Sequence, residues 1–152
     1  MKPAGKQKMT WLGLIVALFF LPVLIASCDH NTPPAATMVS PTGGVQTISA
    51  SQAKALIAQN AGNPNFVIID VRSPEEYAQG HLDGAINMDL NSPDFRDRVS
   101  RLDRSKTYLL YCRTGHRSQA AAAIMREFSF TNLYNLGDGI TGWTASGLPL
   151  AH

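Results

Sequence analysis

The chain has 152 residues, of which 45% are hydrophobic and 16% charged, so it suits one domain with a buried core and is not disordered overall. Its formal net charge is +2 at pH 7, but the first 27 residues contain three lysines and no acid, which leaves ten basic and eleven acidic residues in the remainder. The resulting net charge of −1 over residues 28–152 excludes a global basic field, and we expect no nucleic-acid partner.

Residues 1–27 have the organisation of a secretory signal peptide. Lysines come first, an apolar segment from Trp11 to Ala26 follows, interrupted only by Pro22, and small residues precede Cys28. This apolar segment is short for a membrane-spanning helix, which needs roughly 20 apolar residues. An uncleaved anchor that ends near Pro22 is the alternative. Both interpretations predict an exported, membrane-tethered domain that faces the periplasm or the cell exterior.

The end of this segment, Leu24-Ile25-Ala26-Ser27-Cys28, resembles the lipobox of bacterial lipoproteins. The resemblance implies that Cys28 is lipidated, becomes the mature N-terminus and tethers the protein to a membrane. Residues 28–44 are rich in Pro, Thr, Gly and Ala and show no apolar period, which predicts a flexible linker. Lipidation of Cys28 would leave Cys112 as a lone thiol, with no partner for an intramolecular disulfide.

Residues 45–150 are predicted to form the folded domain, in which short apolar strands alternate with helices. Residues 66–70 are apolar without alternation, which is typical of a strand buried on both faces of a parallel sheet. The predicted strands are residues 45–48, 66–70, 85–88, 108–111 and 133–136. Helices are predicted to begin at Ser49 and Ser73, where Gln52 and Glu76 complete a capping-box pattern three residues later, and at Ser92. Further helices are predicted to cover residues 118–128 and 140–146. The alternation predicts an α/β fold with a small, open, mainly parallel sheet flanked by helices on both faces.

Asp70 and Cys112 stand at the carboxyl ends of two predicted strands, where sheets of this kind bind ligands. The polar loop that follows Cys112 leads straight into the alanine-rich helix; it reads Arg113-Thr114-Gly115-His116-Arg117-Ser118. If the loop curls around the sulfur, its amides and the helix N-terminus form an anion cradle, and two arginines add positive charge. We therefore expect the pKa of Cys112 to lie below the free-thiol value of about 8.5. A buried cysteine followed by an ordinary turn is the alternative.

The run from Cys112 to Ser118 looks like the active-site loop of rhodanese-type sulfurtransferases, whose pattern is Cys-x-x-Gly-x-Arg followed by a small residue. Segments upstream and downstream are similar to the family's other signatures and occur in the expected order; they include Asp70-Val71-Arg72, Glu75-Glu76-Tyr77, residues 80–87, Leu136, Gly139, Trp143 and Gly147-Leu148-Pro149. One departure is the pair Asp138-Gly139, which stands where the family usually has Gly-Gly.

The resemblance implies that Cys112 takes the outer sulfur of a small donor anion, such as thiosulfate or a persulfide, and forms a cysteine persulfide. The sulfur would then pass to a thiol, to cyanide or to a sulfur-accepting protein, and neither a metal nor an organic cofactor is expected. Loop residues 113 to 117, which include Thr114 and Gly115, would stabilise the anionic persulfide through their amides.

The charged residues and the histidine of the loop are expected to have different roles. Arg117 would hold the loop or the donor's charge, Arg113 would attract anions, and His116 would tune the thiolate or shape the rim. Three further residues are expected to support the site: Asp70, Arg72 and Ser118. Asp70 and Arg72 are expected to fix neighbouring loops through an ion pair.

Two other functions are compatible with this fold. Cysteine phosphatases and arsenate reductases resemble His-Cys-x5-Arg, whereas here Tyr111 precedes Cys112 and four residues separate Cys112 from Arg117. The tighter loop suits a single sulfur atom. A non-enzymatic rhodanese module that docks or carries sulfur without turnover is the second alternative, and retention of both the cysteine and the loop arginine favours chemical competence.

Overall fold

The computed structural model describes residues 44–152, which form a five-stranded sheet with five helices. The strands are β1 (Val45–Ile48), β2 (Phe66–Asp70), β3 (Ala85–Asn87), β4 (Thr107–Tyr111) and β5 (Leu133–Leu136). The helices are α1 (Ala50–Gln59), α2 (Pro74–Ala78), α3 (Phe95–Ser100), α4 (His116–Glu127) and α5 (Gly139–Ala145). The sheet order is β1-β5-β4-β2-β3 and every pair is parallel, which confirms the predicted fold class.

The predicted signal peptide and the lipidation site Cys28 lie outside the described residues, as does the linker apart from Gly44. Within residues 44–152, no helix combines the length and the apolar character needed to cross a membrane.

The central strand β4 separates two apolar cores. Tyr108 and Leu110 face α3 and α4, whereas Leu109 and Tyr111 face α1, α2 and α5, because successive side chains of a strand point to opposite faces. All four residues are buried. Burial on both faces explains why the β4 sequence is continuously apolar.

The capping boxes predicted for α1 and α2 are confirmed. Ser49 and Gln52 bond reciprocally at the start of α1, and Ser73 and Glu76 do so at the start of α2. Helix α4 begins two residues earlier than predicted, with Gly115 as its N-terminal cap, so His116 and Arg117 belong to its first turn.

The predicted start of α3 at Ser92 is wrong. Residues 92–95 form a turn in which the Phe95 amide donates to the Ser92 carbonyl at 3.1 Å, and the helix begins at Phe95. The Ser92 hydroxyl bonds to the Asp94 carboxylate and caps no helix amide. Serine and aspartate favour such local bonds, and here the turn prevails over the helix.

Strands β2 and β4 are neighbours, and Asp70 lies opposite Tyr111 in their register. Their carboxyl ends therefore meet at one edge of the sheet, as expected for a parallel pair. The Val71 amide donates to the Tyr111 carbonyl at 3.0 Å and continues the pairing by one residue. This places Cys112 directly after the last paired residue of β4.

Candidate active site

Cys112 lies at the carboxyl edge of the sheet, on the face that α3 and α4 cover. Its side chain belongs to the same core as Leu110 and Met125, and the residue is only 1% exposed. Because the sulfur is shielded from water, its charge state depends on the protein groups around it.

Four residues of the following loop and helix surround the sulfur. The Gly115 amide donates a hydrogen bond to Cys112 Sγ at 3.2 Å, and the Ser118 hydroxyl lies 3.6 Å from the same atom. Ser118 is completely buried, and its hydroxyl also contacts the Gly115 carbonyl at 3.0 Å. The loop thus curls around the sulfur, which is the condition on which the expected anion cradle depends.

The pKa of Cys112 is lowered from that of an ordinary thiol, as expected. Burial acts in the opposite direction and is the largest single influence, because it disfavours the charged form. The hydroxyl and amide of Ser118, together with the amides of Thr114 and Arg117, outweigh it by donating toward the thiolate. Neutral dipoles are therefore the strongest of the influences that lower the pKa of the thiol.

Gly115 makes the tight loop possible. Its φ angle is +86°, a left-handed conformation that side chains rarely adopt. A Cβ at this position would also collide with the Gly137 carbonyl oxygen at the start of the β5–α5 turn. Glycine is therefore required here both for the conformation and for the close approach.

Arg117 is held by an acidic partner on another helix. Its two terminal nitrogens donate to the two carboxylate oxygens of Glu76, each at 2.8 Å. The arginine holds the pKa of Glu76 at about 2, although partial burial opposes this. The pKa of Arg117 is raised, chiefly by Glu76, despite desolvation, and to a smaller extent by the nearby Cys112. Of its two predicted roles, the geometry favours holding the loop.

In the sequence, Glu76 stands in a segment similar to a family signature, and its one predicted role is to cap the helix that begins at Ser73. That role is present, since the Ser73 amide donates to a Glu76 carboxylate oxygen at 3.3 Å. Its position in the first turn of the helix that follows β2, at the edge that carries Cys112, was a signal for a second role. The partner itself is 41 residues away and depends on which strands are neighbours.

Three residues of the loop face solvent: Arg113, Thr114 and His116 are exposed. In residues 44–152, Arg113 forms no ion pair. Its charge is therefore free to act on a ligand that approaches the loop. His116 is the first residue of α4, at the rim of the loop.

Asp70 and Arg72 form the expected ion pair, with an Arg72 Nη2 to Asp70 Oδ2 distance of 2.6 Å. Arg72 Nη2 also donates to the Gly80 carbonyl at 2.7 Å, which ties β2 to the loop after α2. Asp70 shares the sheet face of Ile68, opposite the face of Cys112, because its position follows Ile68 by two residues. The structure therefore brings Ser118 to the sulfur, whereas Asp70 and Arg72 support the sheet edge from its other face.

Among residues 44–152, no group of three or more His, Cys, Asp or Glu side chains could hold a metal ion.

Residues 49–146 match the rhodanese-like domain family. The chain is 35% identical over 99 residues to the thiosulfate sulfurtransferase GlpE of Pseudomonas entomophila (strain L48), an alignment that covers 65% of this chain and 84% of that protein. It is 39% identical over 69 residues to the thiosulfate sulfurtransferase PspE of Escherichia coli (strain K12), covering 45% of this chain and 66% of that protein. The solution structure of the rhodanese-like domain from the Anabaena sp. protein Alr3790 aligns with a TM-score of 0.61 and 28% identity, covering 71% of this chain and 80% of that one.

Proposed function

The chain belongs to the rhodanese-like domain family and is a sulfurtransferase; we propose that it carries the transferred sulfur as a persulfide on Cys112. One observation supports this assignment most directly. The buried Cys112 sulfur accepts a hydrogen bond from the Gly115 amide at 3.2 Å and lies 3.6 Å from the Ser118 hydroxyl, so its negative charge is held by neutral donors. Such donors fit a sulfur anion that must form, persist and be surrendered.

In the loading step, the Cys112 thiolate attacks the outer sulfur of thiosulfate. A bond forms between Sγ and that sulfur, and the sulfur–sulfur bond of the donor breaks. The electron pair of the broken bond leaves with sulfite, so Cys112 becomes a persulfide anion and no external oxidant or reductant is needed. The lowered pKa of Cys112 supplies the thiolate that this step requires.

In the discharge step, cyanide or a thiolate attacks the outer sulfur of the persulfide. The new bond forms to that sulfur, and the bond to Sγ breaks with its electron pair returning to Cys112. Thiocyanate or a new persulfide leaves, and the starting thiolate is restored. The amides that hold the thiolate also face the anionic persulfide.

The arginines of the loop have different roles in this proposal. Arg113, exposed and without an ion-pair partner in the described part of the chain, attracts the anionic donor. Arg117, bound by both oxygens of Glu76, fixes the first turn of α4. Only Arg113 is free to move with an arriving ligand.

Mass spectrometry after thiosulfate treatment tests the proposal. We expect the purified protein to gain one sulfur, about 32 Da, and to lose it on addition of cyanide. Cys112→Ser should abolish both the adduct and thiocyanate production, whereas Cys28→Ser, the matched control at the other cysteine, should retain both. Undiminished sulfur transfer by Cys112→Ser would refute the assignment of Cys112 as the nucleophile.

Loop length separates sulfur transfer from phosphatase or arsenate reductase chemistry. Four residues lie between Cys112 and Arg117, and the loop amides stand close to the sulfur, which leaves little room for three phosphoryl oxygens. We expect hydrolysis of an aryl phosphate to be negligible beside thiosulfate:cyanide transfer. Insertion of one glycine after Gly115 should impair sulfur transfer and, if anything, raise phosphatase activity. Comparable rates for the two reactions in the unaltered protein would contradict this explanation.

Steady-state kinetics distinguishes an enzyme from a carrier that is loaded once. Repeated turnover predicts many thiocyanate molecules for each protein molecule under excess thiosulfate and cyanide. A single burst of one thiocyanate per Cys112 would instead identify a carrier that waits for a protein acceptor.

We also propose that the protein is exported and tethered by a lipid on Cys28. The support is the lipobox-like Leu24-Ile25-Ala26-Ser27-Cys28 after an apolar segment. Intact mass should show a lipidated chain that starts at Cys28, and the protein should partition into detergent. Cys28→Ala should abolish the lipid. A product that retains Met1, or partitioning unchanged by Cys28→Ala, would refute the proposal.

A further inference from the structure

The loop around Cys112 has backbone carbonyl groups that need hydrogen-bond donors, as well as amides that face the sulfur. In a planar trans peptide, the carbonyl of one residue and the amide of the next point in opposite directions. The Thr114 amide, which helps to lower the pKa of Cys112, therefore shares its plane with the Arg113 carbonyl. Whatever binds that carbonyl also sets the direction of the amide.

The first turn of α5 binds this carbonyl. The Thr141 amide donates to the Arg113 carbonyl at 3.1 Å, and the Ile140 amide donates to the Cys112 carbonyl at 2.8 Å. The first amides of a helix have no partner within it, so they are free to bind another segment. Here both donate to the segment that carries the nucleophile.

Gly139 permits this contact. Its φ angle is +57°, and a Cβ built on it would lie 2.5 Å from the Cys112 carbonyl oxygen and closer still to that of Arg113. Any side chain would therefore push α5 away from the loop. On the other side of the same turn, the Gly137 carbonyl packs against Gly115. The β5–α5 turn thus contacts the loop around Cys112 through both Gly137 and Gly139.

We propose that the first turn of α5, Gly139 to Thr141, is a positioning element of the sulfur-transfer site that binds the Cys112 and Arg113 carbonyls and thereby keeps the loop amides, that of Gly115 at 3.2 Å among them, directed at Sγ. This inference rests on the proposed function of Cys112 and adds three residues of another element to the site. They act through the backbone of the loop.

Alkylation of Cys112 by iodoacetamide across a pH series tests the proposal, because the thiolate is the species that reacts. Gly139→Ala should raise the pKa of Cys112 and slow its alkylation at pH 7 by roughly tenfold. Gly147→Ala is the matched control at the other end of α5, since Gly147 has a φ angle of +69° but a Cβ added to it would meet no atom of residues 44–152 within 4 Å. The control should lose stability through backbone strain and keep the alkylation profile of the unaltered protein.

A folded Gly139→Ala protein with an unchanged alkylation profile would overturn the proposal. If this variant does not fold, amide hydrogen exchange of the unaltered protein decides. The Ile140 and Thr141 amides should exchange at least roughly tenfold more slowly than unstructured amides, although first-turn amides usually lack a partner. Unprotected exchange at both positions would also overturn it.

Both measurements report on the thiol and the backbone and need no sulfur donor. If thiosulfate fails to load Cys112 while Gly139→Ala still slows alkylation, the proposed function fails and the positioning role stands. If loading succeeds and Gly139→Ala leaves the alkylation profile unchanged, only the positioning role fails.

Discussion

Asp70 and Cys112 are two buried acidic groups at one edge of the sheet, and they lie on its opposite faces. Asp70 is paired with a full positive charge, because Arg72 contacts its carboxylate at 2.6 Å. Cys112 is surrounded chiefly by neutral donors, an amide at 3.2 Å and a hydroxyl at 3.6 Å. Arg72 holds the Asp70 carboxylate in place with a full opposite charge, whereas neutral dipoles stabilise a sulfur charge that is consumed and restored in each reaction cycle.

Asp70 and Cys112 also differ in the parts of the fold to which they are connected. The Asp70–Arg72 pair connects β2 to the Gly80 carbonyl and so joins parts of the fold. The donors of Cys112 all come from residues 114 to 118, a loop whose own position depends on α5. The Asp70–Arg72 pair therefore stabilises the fold, whereas the fold holds the donors of Cys112 in place.

The largest effect we predict is a loss of stability when the Asp70–Arg72 ion pair is broken. Asp70→Ala leaves the charge of Arg72 buried without its carboxylate, so the free energy of unfolding should fall by about 3–5 kcal/mol. Chemical denaturation measures it. The double variant Asp70→Ala/Arg72→Met, which removes both charges, should recover part of the loss. A loss below about 1 kcal/mol in the single variant would contradict the distinction drawn between the two anions.

The next effect concerns the donors of the sulfur. Ser118→Ala removes a hydroxyl that faces the thiolate, so the pKa of Cys112 should rise and alkylation at pH 7 should slow by roughly tenfold. The control is Ser100→Ala, because the hydroxyl of Ser100, the last residue of α3, has one hydrogen-bond partner in the described part of the chain, the Asp97 carbonyl at 2.7 Å. Equal alkylation profiles for the two variants would show that the hydroxyl does not hold the thiolate.

A smaller effect is expected from the exposed arginine of the loop. Arg113→Ala should lower kcat/KM for thiosulfate roughly three-fold and weaken its dependence on ionic strength, because long-range attraction of the donor is lost. Alkylation by the neutral iodoacetamide should be unaffected. Arg113→Lys keeps the charge and should retain most of the rate, and Arg101→Ala removes an exposed arginine of α3's C-terminal end as a control. If Arg113→Ala slows neutral and anionic reagents alike, the residue shapes the loop instead of attracting the donor.

The smallest effect is the pH dependence of the Glu76–Arg117 pair. The pKa of Glu76 is about 2 in the folded protein against an ordinary 4.5, so its stabilisation is fully present above pH 4.5 and is lost as the pH falls toward 2. Both side chains are about 30% exposed, which limits the contribution to about 0.5 kcal/mol. The stability difference between the unaltered protein and Glu76→Gln should therefore shrink over this range.

Glu75→Gln provides the control for that experiment. Glu75 is fully exposed and has no arginine partner in the described part of the chain, so its replacement should produce a weaker pH dependence. A difference between the unaltered protein and Glu76→Gln that stays constant from pH 6 to pH 2.5 would show that the pair contributes nothing through charge.

Local chemistry determined much of the fold. The bounds of β1, β2 and β5 follow from short segments of strand-forming residues, continuously apolar in β2 up to Asp70. The capping boxes at Ser49 and Ser73 follow from bonds within three residues of the chain. The cradle around Cys112 was equally accessible, because its donors lie within six residues of the sulfur. Such interactions close over short loops and depend little on the remaining topology.

Only the tertiary structure decided which distant residues meet at the site. The contact between Glu76 and Arg117 requires the order of strands β2 and β4, and the contact of Gly139 with the Cys112 and Arg113 carbonyls requires β5 beside β4. The start of α3 was missed for a different, local reason, since two hydrogen-bonding patterns within the chain segment both suit Ser92 and Asp94. Sequence determined the reactive sulfur and its nearest donors, because they are neighbours along the chain. Strand order selected the groups that hold them in place, because residues 25 or more positions apart can meet only after the sheet has formed.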